Sequence, residues 1–333
     1  MANLIQLVPQ AVSSGCGVFD YARRLAEGLA EAGWDTQWRA ARTDAEHAEL
    51  RARPDRVARD LQGEAVVMHL VPSAWRHVDP RWSYVLNDVV HASERTVLIV
   101  HEMFATRSRA WLNPGNWRDR ETVYALASLA DHVITTNASF AQRLARHGRR
   151  DVVILPVPSN IGEPPLPLPD WAERQPVGVV FGGSWRRQRV YEALDRSGDL
   201  ATLRIEGLLD IGPGPEAMPK FVRGIPVQRF GLLEADEVRA RLLASRWGLI
   251  AEDVPFLAKS GVFAAYAACG VTPIVYSQRG RDADGLRAGA HFVPAGALPR
   301  VPEMIGARLR RWYEGHSIAR HVEAVAERLR PGR

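Results

Sequence analysis

The sequence has few cysteines and no long uninterrupted apolar run. Cys16 and Cys269 are the only cysteines in 333 residues, too few for a disulfide framework or a cysteine-rich zinc site. The longest apolar stretch, 261–276, is interrupted by Thr272 and Pro273 and is too short for a membrane span. The first nine residues lack a basic leader and are typical of a first strand. We therefore expect a cytoplasmic protein, with peripheral contact to a membrane left open.

Lysine is also scarce, and the positive charge is dispersed. Lys and Arg total 43 against 38 Asp and Glu, a net charge of +5, yet the only lysines are Lys220 and Lys259. The arginines are spread along the chain among acids, without the clustered basic stripe of a DNA-reading surface. The sequence therefore predicts no nucleic-acid partner.

Several catalytic signatures are missing as well. The chain has no Walker phosphate loop, no Gly-x-Ser-x-Gly elbow and no His/Cys cluster with metal-ligand spacing. Asp282-Ala-Asp284 has the spacing of the metal-binding acid pair of one class of sugar transferases, but it lies late in the chain in a glycine-flanked loop. We interpret it as a solvated turn, and we predict neither a bound metal nor a cofactor.

Short apolar runs alternate with longer amphipathic stretches, a pattern that predicts α/β architecture with parallel sheets and βαβ crossovers. Helices are expected at 18–32, 118–130 and 236–244. The predicted strands are 3–8, 65–70, 96–101, 132–136, 151–155, 177–182, 202–206, 226–230, 247–251, 273–276 and 291–293.

Proline marks one division of the chain. Seven prolines between 156 and 176 oppose regular structure and favour an extended linker. A new strand with a glycine pair follows directly, and the terminal stretch is long enough to return to the first half. The predicted domains are 1–160, a linker at 161–176, a second domain at 177–302 and a returning C-terminal helix at 303–333.

The run 256–276 is the most informative stretch, since it predicts a loop, a helix, a glycine stop and a buried strand. Lys259, Ser260 and Gly261 stand where this helix begins, so unpaired N–H groups and an ammonium group would converge there. The pattern favours an anion site for phosphate. An ordinary buried βα unit is the alternative.

A second strand-to-helix turn is rich in glycine and arginine. Gly182, Gly183 and Ser184 are followed by three arginines, which would neutralise a diphosphate leaving group; they are Arg186, Arg187 and Arg189. A solvated basic helix start is the alternative.

The first half offers two candidates at predicted strand ends. Gly15, Cys16 and Gly17 follow the first strand, where glycines let the backbone approach a ligand or simply form a tight turn. His101 and Glu102 end the third predicted strand, at the edge where parallel sheets bind ligands. His101 suits proton handling or a hydrogen bond to a substrate hydroxyl, Glu102 could be the proton acceptor instead, and a purely structural histidine is also open.

Taken in order, these segments resemble the GT-B fold glycosyltransferases of the group 1, family 4-like type, over nearly the whole chain. In the first half, the resemblance rests on the glycine loop with the residues after it (15–25), two segments that begin with histidine (69–72 and 101–102) and a strand followed by asparagine (133–137). It continues in the proline-containing segment that crosses between the domains (154–161) and in the small-residue helix with the strand after it (267–275).

The resemblance implies two Rossmann-like domains and sugar transfer from a nucleotide-diphosphate donor, without a bound metal and usually with retention. The active site would lie in the cleft between the domains, with the donor on the second and the acceptor, a glycan, a lipid-linked molecule or a small molecule, on the first. Arg186, Arg189 and Lys259 would hold the diphosphate, helped by N–H groups near Gly183 and Gly261. His101 would face the reacting sugar, and the Gly15–Gly17 loop would line the cleft.

One departure from the family pattern bears on activity. The family carries two glutamates eight residues apart at positions that hold Leu257 and Ala265 in this chain, and Glu252 and Asp253 are out of register. Two other functions are therefore kept open: a degenerate homologue that binds a nucleotide sugar or a partner enzyme without catalysis, and a sugar-nucleotide 2-epimerase.

Overall fold

A computed structural model describes residues 2–9, 17–40, 54–78, 81–104 and 113–330. The chain divides into two compact units. The first comprises Met1–Pro156 together with Ile318–Arg333, and the second comprises Val157–Ser317. Each unit is built on its own sheet.

The first unit contains a six-stranded parallel sheet in the order β2-β1-β3-β4-β5-β6. Its strands are β1 Ala2–Val8, β2 Trp34–Ala40, β3 Ala65–Leu70, β4 Arg95–Val100, β5 His132–Thr135 and β6 Val152–Ile154. Its helices are Gly17–Glu31, Pro54–Asp60, Pro72–Val78, Trp82–Ala92, Pro114–Leu129, Ala138–Arg146 and Ile318–Leu329.

The last helix of the chain completes the core of this first unit. Val325, Ala326 and Leu329 are buried against apolar side chains of β1 and of the helix Gly17–Glu31, among them Leu4 and Leu25. Since burying such side chains is the main favourable term in folding, this late segment is part of the first unit's core.

The second unit contains a seven-stranded sheet in the order β15-β12-β11-β7-β8-β10-β9, parallel except for β9. Its strands are β7 Gln175–Phe181, β8 Gly207–Ile211, β9 Phe221–Val222, β10 Ile225–Gly231, β11 Ser245–Ile250, β12 Thr272–Val275 and β15 Val293–Pro294, with a separate hairpin of β13 Asp282–Ala283 and β14 Leu286–Arg287. Its helices are Ser184–Arg196, Asp199–Thr202, Ala235–Leu243, Gly261–Ala268 and Pro302–Glu314, with 3₁₀ turns at Trp171–Glu173, Pro215–Ala217 and Val254–Lys259.

The proline-rich segment that opens the second unit is packed onto it. The N–H of Val157 donates to the carbonyl of Ala258 (2.9 Å), and that of Ser159 donates to the hydroxyl of Tyr313 (2.8 Å). Arg239 donates to the carbonyl of Ile161 at 3.1 Å. The prolines do exclude helices and strands between 156 and 170, but the backbone polar groups find partners on the second unit.

The predicted α/β class with two parallel-sheet units is confirmed, and two predicted segments are wrong. The predicted strand at 202–206 is a helix end and a turn, and the strand β8 follows it at Gly207–Ile211. The helix predicted for 303–333 is two helices, Pro302–Glu314 and Ile318–Leu329, separated at the turn residue Gly315. Among the helices in the described ranges, none has the length and apolarity to cross a membrane.

Candidate functional site

In the second unit, strand order creates a crevice at the carboxyl ends of β7 and β11. Within the sheet, β8 is the next strand in the chain and lies on one side of β7. The later strand β11 lies on the other side of β7. Ligands of open α/β sheets bind at such a switch point. Gly182 and Gly183 follow β7 here, and Glu252 and Asp253 follow β11.

The turn after β7 presents an uncapped helix start. Gly182 has φ +123°, a backbone conformation that favours glycine, and its N–H donates to the carbonyl of Ile211 at 3.0 Å. Gly183 is the N-cap of the helix Ser184–Arg196 and supplies no side chain to its first N–H groups. These groups and the helix dipole make the turn suited to an anion.

Arg186 lies one turn into this helix and reaches the end of β11. Its Nη1 is 3.2 Å from Oε2 of Glu252, and the two side chains are 43% and 15% exposed. The arginine is therefore accessible at the switch point, with a carboxylate already beside it. An incoming diphosphate would compete with Glu252 for the guanidinium group.

Arg187 serves the protein itself, contrary to the expectation that all three arginines face a diphosphate, whereas the predicted donor contact of Ser184 stays a prediction. Arg187 is fully buried and pairs with Asp210, whose other oxygen accepts from the hydroxyl of Tyr191 at 2.7 Å. Arg187 also donates to the carbonyl of Pro213, and the Ser184 hydroxyl donates to that same carbonyl at 2.8 Å. Both side chains brace the turn after β8.

Arg189 lies on the same helix, where its guanidinium carbon is 4.9 Å from the ring centroid of Trp185. The Trp185 side chain is 59% exposed, so this cation–π pair is on the surface of the unit. Arg189 belongs to the same basic helix start as Arg186, as expected. Its predicted contact with a diphosphate stays a prediction.

The second helix start of the switch-point region lies after the 3₁₀ turn Val254–Lys259. The Ser260 hydroxyl accepts from the N–H of Phe263 at 3.3 Å, so this serine is a helix cap. Gly261 begins the helix, and the half-buried Lys259 has its ammonium nitrogen 5.4 Å from the ring centroid of Phe256. The predicted loop, helix and glycine stop are confirmed, with Gly270 at φ +62°.

The two positions where the family resemblance implies glutamates are in the hydrophobic core. Leu257 and Ala265 are 1% and 0% exposed and pack among apolar side chains. A carboxylate at either place would lose its hydration without a partner. Glu252, 15% exposed, is the acid that this region offers, while Asp253 accepts from the N–H of Gln278 at 3.0 Å.

In the first unit, His101 ends a buried chain of hydrogen-bonded side chains. Nε2 of His69 lies 2.8 Å from Oε1 of Gln6, and Nδ1 of His69 lies 3.0 Å from Nε2 of His101. The two imidazoles are stacked, with centroids 5.2 Å apart and planes inclined by 13°. Three adjacent strands, β1, β3 and β4, therefore place these groups in a row at the sheet's carboxyl edge.

Tyr21 and His321 pack beside this row. The Tyr21 ring meets His101 edge-on with centroids 5.0 Å apart, and its hydroxyl lies 2.8 Å from Nδ1 of His321. Nε2 of His321 is 2.9 Å from the carbonyl oxygen of Pro156. Because a carbonyl only accepts, that nitrogen donates, and in the neutral ring Nδ1 accepts from the tyrosine.

Burial keeps both stacked histidines neutral. It lowers the pKa of His101 to about 3, with the nearby His321 adding to the effect. Burial, and then the neighbouring His101, lowers the pKa of His69 well below its ordinary value. A neutral His101 can donate or accept a hydrogen bond but carries no charge near pH 7.

The other first-unit candidates are less informative. Glu102 is exposed directly after His101, and its N–H points to the carbonyl of Leu70 at 3.4 Å. Gly17 is the exposed first residue of the helix Gly17–Glu31. Gly15 and Cys16 lie outside the described residues, so their predicted place along a cleft stays a prediction.

Sequence reasoning assigned no role to Gln6, His69, Tyr21 or His321. The available signal was a polar residue within an apolar strand, as with Gln6 in β1 and His69 in β3. Within the ranges that the structure describes, no group of three or more His, Cys, Asp or Glu residues is arranged to hold a metal ion.

With two Rossmann-like units, each built on its own largely parallel sheet, the chain has the fold of the GT-B glycosyltransferases. It is similar to WaaG, a glycosyltransferase involved in lipopolysaccharide biosynthesis, with a TM-score of 0.59 and 12% identity over 98% of this chain and 100% of that chain.

A second similarity is to an α-glucosyltransferase. In its complex with UDP, it gives a TM-score of 0.58 and 11% identity over 99% of this chain and 95% of that chain. Its complex with UDP-glucose and DNA containing an abasic site gives 0.53 and 12% over the same shares. No protein-family profile and no curated protein sequence matches the chain. At these identities the similarity establishes the fold.

Proposed function

We propose that the protein is a glycosyltransferase that moves a sugar, a hexose in the simplest case, from a nucleotide-diphosphate donor to an acceptor hydroxyl. The second unit would bind the donor, and His101 of the first unit is the proposed hydrogen-bond partner of a sugar hydroxyl. The acceptor would be a glycan, a lipid-linked molecule or a small molecule. UDP and UDP-glucose, held by the structurally similar α-glucosyltransferase, are the first donors to test.

The observation that carries this proposal is the uncapped helix start at Gly183, with Arg186 at the switch point of the second sheet. Transfer requires the bond between the anomeric carbon and a phosphate oxygen to break, which leaves an additional negative charge on the diphosphate. Fixed N–H dipoles, Arg186 and Lys259 would stabilise that charge in place of a metal ion.

In the proposed reaction, the acceptor oxygen bonds to the anomeric carbon as the bond to phosphate breaks, and the hydroxyl proton passes to the departing diphosphate. We propose retention at the anomeric carbon, which NMR of the product would check directly. Glu102 is the alternative proton acceptor. His101 would then orient the sugar through a hydrogen bond.

Donor binding is the first test, and the scarcity of lysine supplies a matched control. A panel of nucleoside diphosphates and their sugar conjugates is titrated against wild type, Lys259→Ala and Lys220→Ala, with melting temperature and calorimetry as readouts. Lys220 is exposed elsewhere in the second unit. One nucleotide class should raise the melting temperature by mass action.

Lys259→Ala should weaken that binding by about tenfold or more, since a charge-assisted contact contributes about 1.5–3 kcal/mol. Lys220→Ala should bind as wild type does. If no nucleotide binds, the proposed donor site is wrong. If both variants bind as wild type, Lys259 is not part of it.

A second candidate, a nucleotide-sugar-binding protein without catalysis, is favoured by the apolar, buried Leu257 and Ala265. Release of free nucleoside diphosphate in the presence of an acceptor panel separates the two, because the binding protein would release none. Conversion of donor without any acceptor would indicate the 2-epimerase. DNA belongs in the panel of acceptors because one similar α-glucosyltransferase structure contains it. For this chain, our prediction remains that it has no nucleic-acid partner.

A further inference from the structure

The row Gln6–His69–His101 determines which nitrogen of His101 is free. Nε2 of His101 is engaged with His69 at 3.0 Å, and the whole side chain is only 7% exposed. A ligand that meets this imidazole ring through a hydrogen bond must therefore use Nδ1. Whether Nδ1 then donates or accepts depends on where the single proton of the neutral ring lies.

The amide of Gln6 fixes which atom donates and which accepts in each hydrogen bond of the row. Its Oε1 only accepts, so Nε2 of His69, at 2.8 Å, must donate to it. A neutral His69 with a proton on Nε2 has a lone pair on Nδ1. That lone pair accepts from Nε2 of His101, and a neutral His101 then has its lone pair on Nδ1.

We propose that Gln6 and His69 are positioning residues that hold His101 in its Nε2–H tautomer, so that Nδ1 acts only as an acceptor toward a substrate hydroxyl. The acceptor role toward a sugar hydroxyl rests on the proposed function, whereas the tautomer does not. Of the described residues, Tyr21 and His321 are ionisable groups that pack against the pair, and they bond to each other at 2.8 Å. Among the residues that the structure describes, no charged side chain is a hydrogen-bond partner of the row.

Burial supports this assignment, since it keeps both imidazoles neutral and so limits each ring to one proton. The pKa of His101 is lowered to about 3, and that of His69 is also lowered, in both cases chiefly by burial. The amide of Gln6 determines which atom donates in each hydrogen bond of the row, because exchanging its oxygen and nitrogen would reverse every donor and acceptor.

Long-range ¹H–¹⁵N NMR of protein labelled at histidine measures the tautomers directly, with His69→Asn and His101→Asn used to assign the signals. Wild type should show His101 protonated at Nε2 and His69 protonated at Nε2. A His101 protonated at Nδ1 would overturn the proposal. This measurement needs no substrate, so it stands or fails independently of glycosyl transfer.

Gln6→Met tests the cause, since methionine keeps an unbranched chain but removes the amide acceptor. In this variant, His101 should populate both tautomers. Thr135→Val is the matched control, because Thr135 is buried in β5 of the same sheet and its hydroxyl has no hydrogen-bond partner among the described residues. That variant should keep the wild-type tautomers. A single unchanged tautomer in Gln6→Met would overturn the role of Gln6.

Turnover gives a separate readout. Equal population of two tautomers halves the competent fraction, so Gln6→Met should lower turnover about twofold or more. Its affinity for free nucleoside diphosphate should be unchanged, because the proposed diphosphate site lies in the other unit. If Gln6→Met alters the tautomers of His101 but not turnover, Nδ1 does not act as an acceptor toward the substrate. If wild type transfers no sugar at all, the proposed function is wrong and the tautomer assignment is unaffected.

Discussion

The guanidinium group of Arg187 and the carboxylate of Asp210 form an ion pair in which neither side chain is exposed. Arg186, the preceding residue, is instead 43% exposed and pairs with Glu252 at the switch point. Consecutive arginines on one helix thus serve different purposes. The buried one supports the turn after β8, and the accessible one is available to a ligand.

Arg187→Met should lower the free energy of unfolding by about 3–5 kcal/mol, because it leaves the buried Asp210 without its cation. Arg186→Met, the matched control one residue earlier, should cost no more than about 1 kcal/mol, since its ion pair is partly exposed. Urea unfolding of both variants measures the difference. Equal stabilities would contradict the assigned roles.

Glu252→Gln should strengthen binding of a nucleoside diphosphate by about threefold to fivefold. The substitution removes a negative charge from the proposed site and frees Arg186 from its partner at 3.2 Å, a contact that contributes about 1 kcal/mol at most. Calorimetric titration measures the gain. Asp253→Asn, which alters the adjacent carboxylate, should give a smaller change. Weaker binding by Glu252→Gln would mean that this acid itself contacts the donor.

Two glycines, Gly212 after β8 and Gly183 after β7, should respond differently to substitution by alanine. A Cβ on Gly212, at φ +151°, would overlap the carbonyl oxygen of Gly182, so Gly212→Ala should lower the free energy of unfolding by about 1–3 kcal/mol.

Gly183→Ala meets no atom within 4 Å and should leave stability within about 0.5 kcal/mol of wild type. It should still weaken diphosphate binding, because its methyl group would stand beside the helix start that the phosphate approaches. Melting curves and nucleotide titrations separate these two effects. Unchanged nucleotide affinity in Gly183→Ala would exclude close approach of a phosphate at this turn.

Stability should decrease as the pH falls below about 6.5. The unfolded chain protonates its histidines near that pH, whereas burial lowers the pKa of His101 to about 3 in the folded protein. Between these values the unfolded state binds more protons, so the free energy of unfolding falls by about 1.4 kcal/mol per pH unit for this group. Urea unfolding at pH 7, 6 and 5 should show a smaller slope in His101→Asn. Identical slopes would contradict a neutral buried His101.

Tyr21→Phe should lower the free energy of unfolding by about 1–3 kcal/mol. It removes the hydroxyl that donates to buried His321 at 2.8 Å while leaving the ring's packing in place. Tyr84→Phe deletes a hydroxyl from a side chain that is 72% exposed and should have little effect. Chemical unfolding compares the pair, and an equal loss in both would show that the Tyr21 hydrogen bond contributes nothing.

The sequence predicts best those elements whose signal is local. The sequence predicts the strand β3 with its observed bounds, Ala65–Leu70, because an apolar run interrupted only by His69 defines it. The strand predicted at 202–206 lies just before the observed β8, Gly207–Ile211, whose apolar run contains the buried Asp210. The partner that makes this acid tolerable, Arg187, is 23 residues away in the sequence.

In the candidate site, too, the features with a local sequence signal are predictable, and those that depend on distant residues are not. The helix starts at Gly183 and Gly261 were predicted from glycine and lysine patterns next to strands. The row Gln6–His69–His101 depends on the register of three strands, which no local pattern specifies. The sequence does not distinguish Arg187 from Arg186, because adjacent residues on a helix point in different directions and spacing alone does not say which one meets the core.

The return of the helix Ile318–Leu329 to the first unit affects the order in which the two units can complete their cores during synthesis. Residues 2–156 emerge first, but their core includes Val325, Ala326 and Leu329. The second unit is continuous from Val157 to Ser317 and has all its own residues by the time position 317 has been translated. The first unit therefore lacks these three core side chains until the helix Ile318–Leu329 has been translated, and the apolar surface that they cover stays exposed to solvent while the second unit is made.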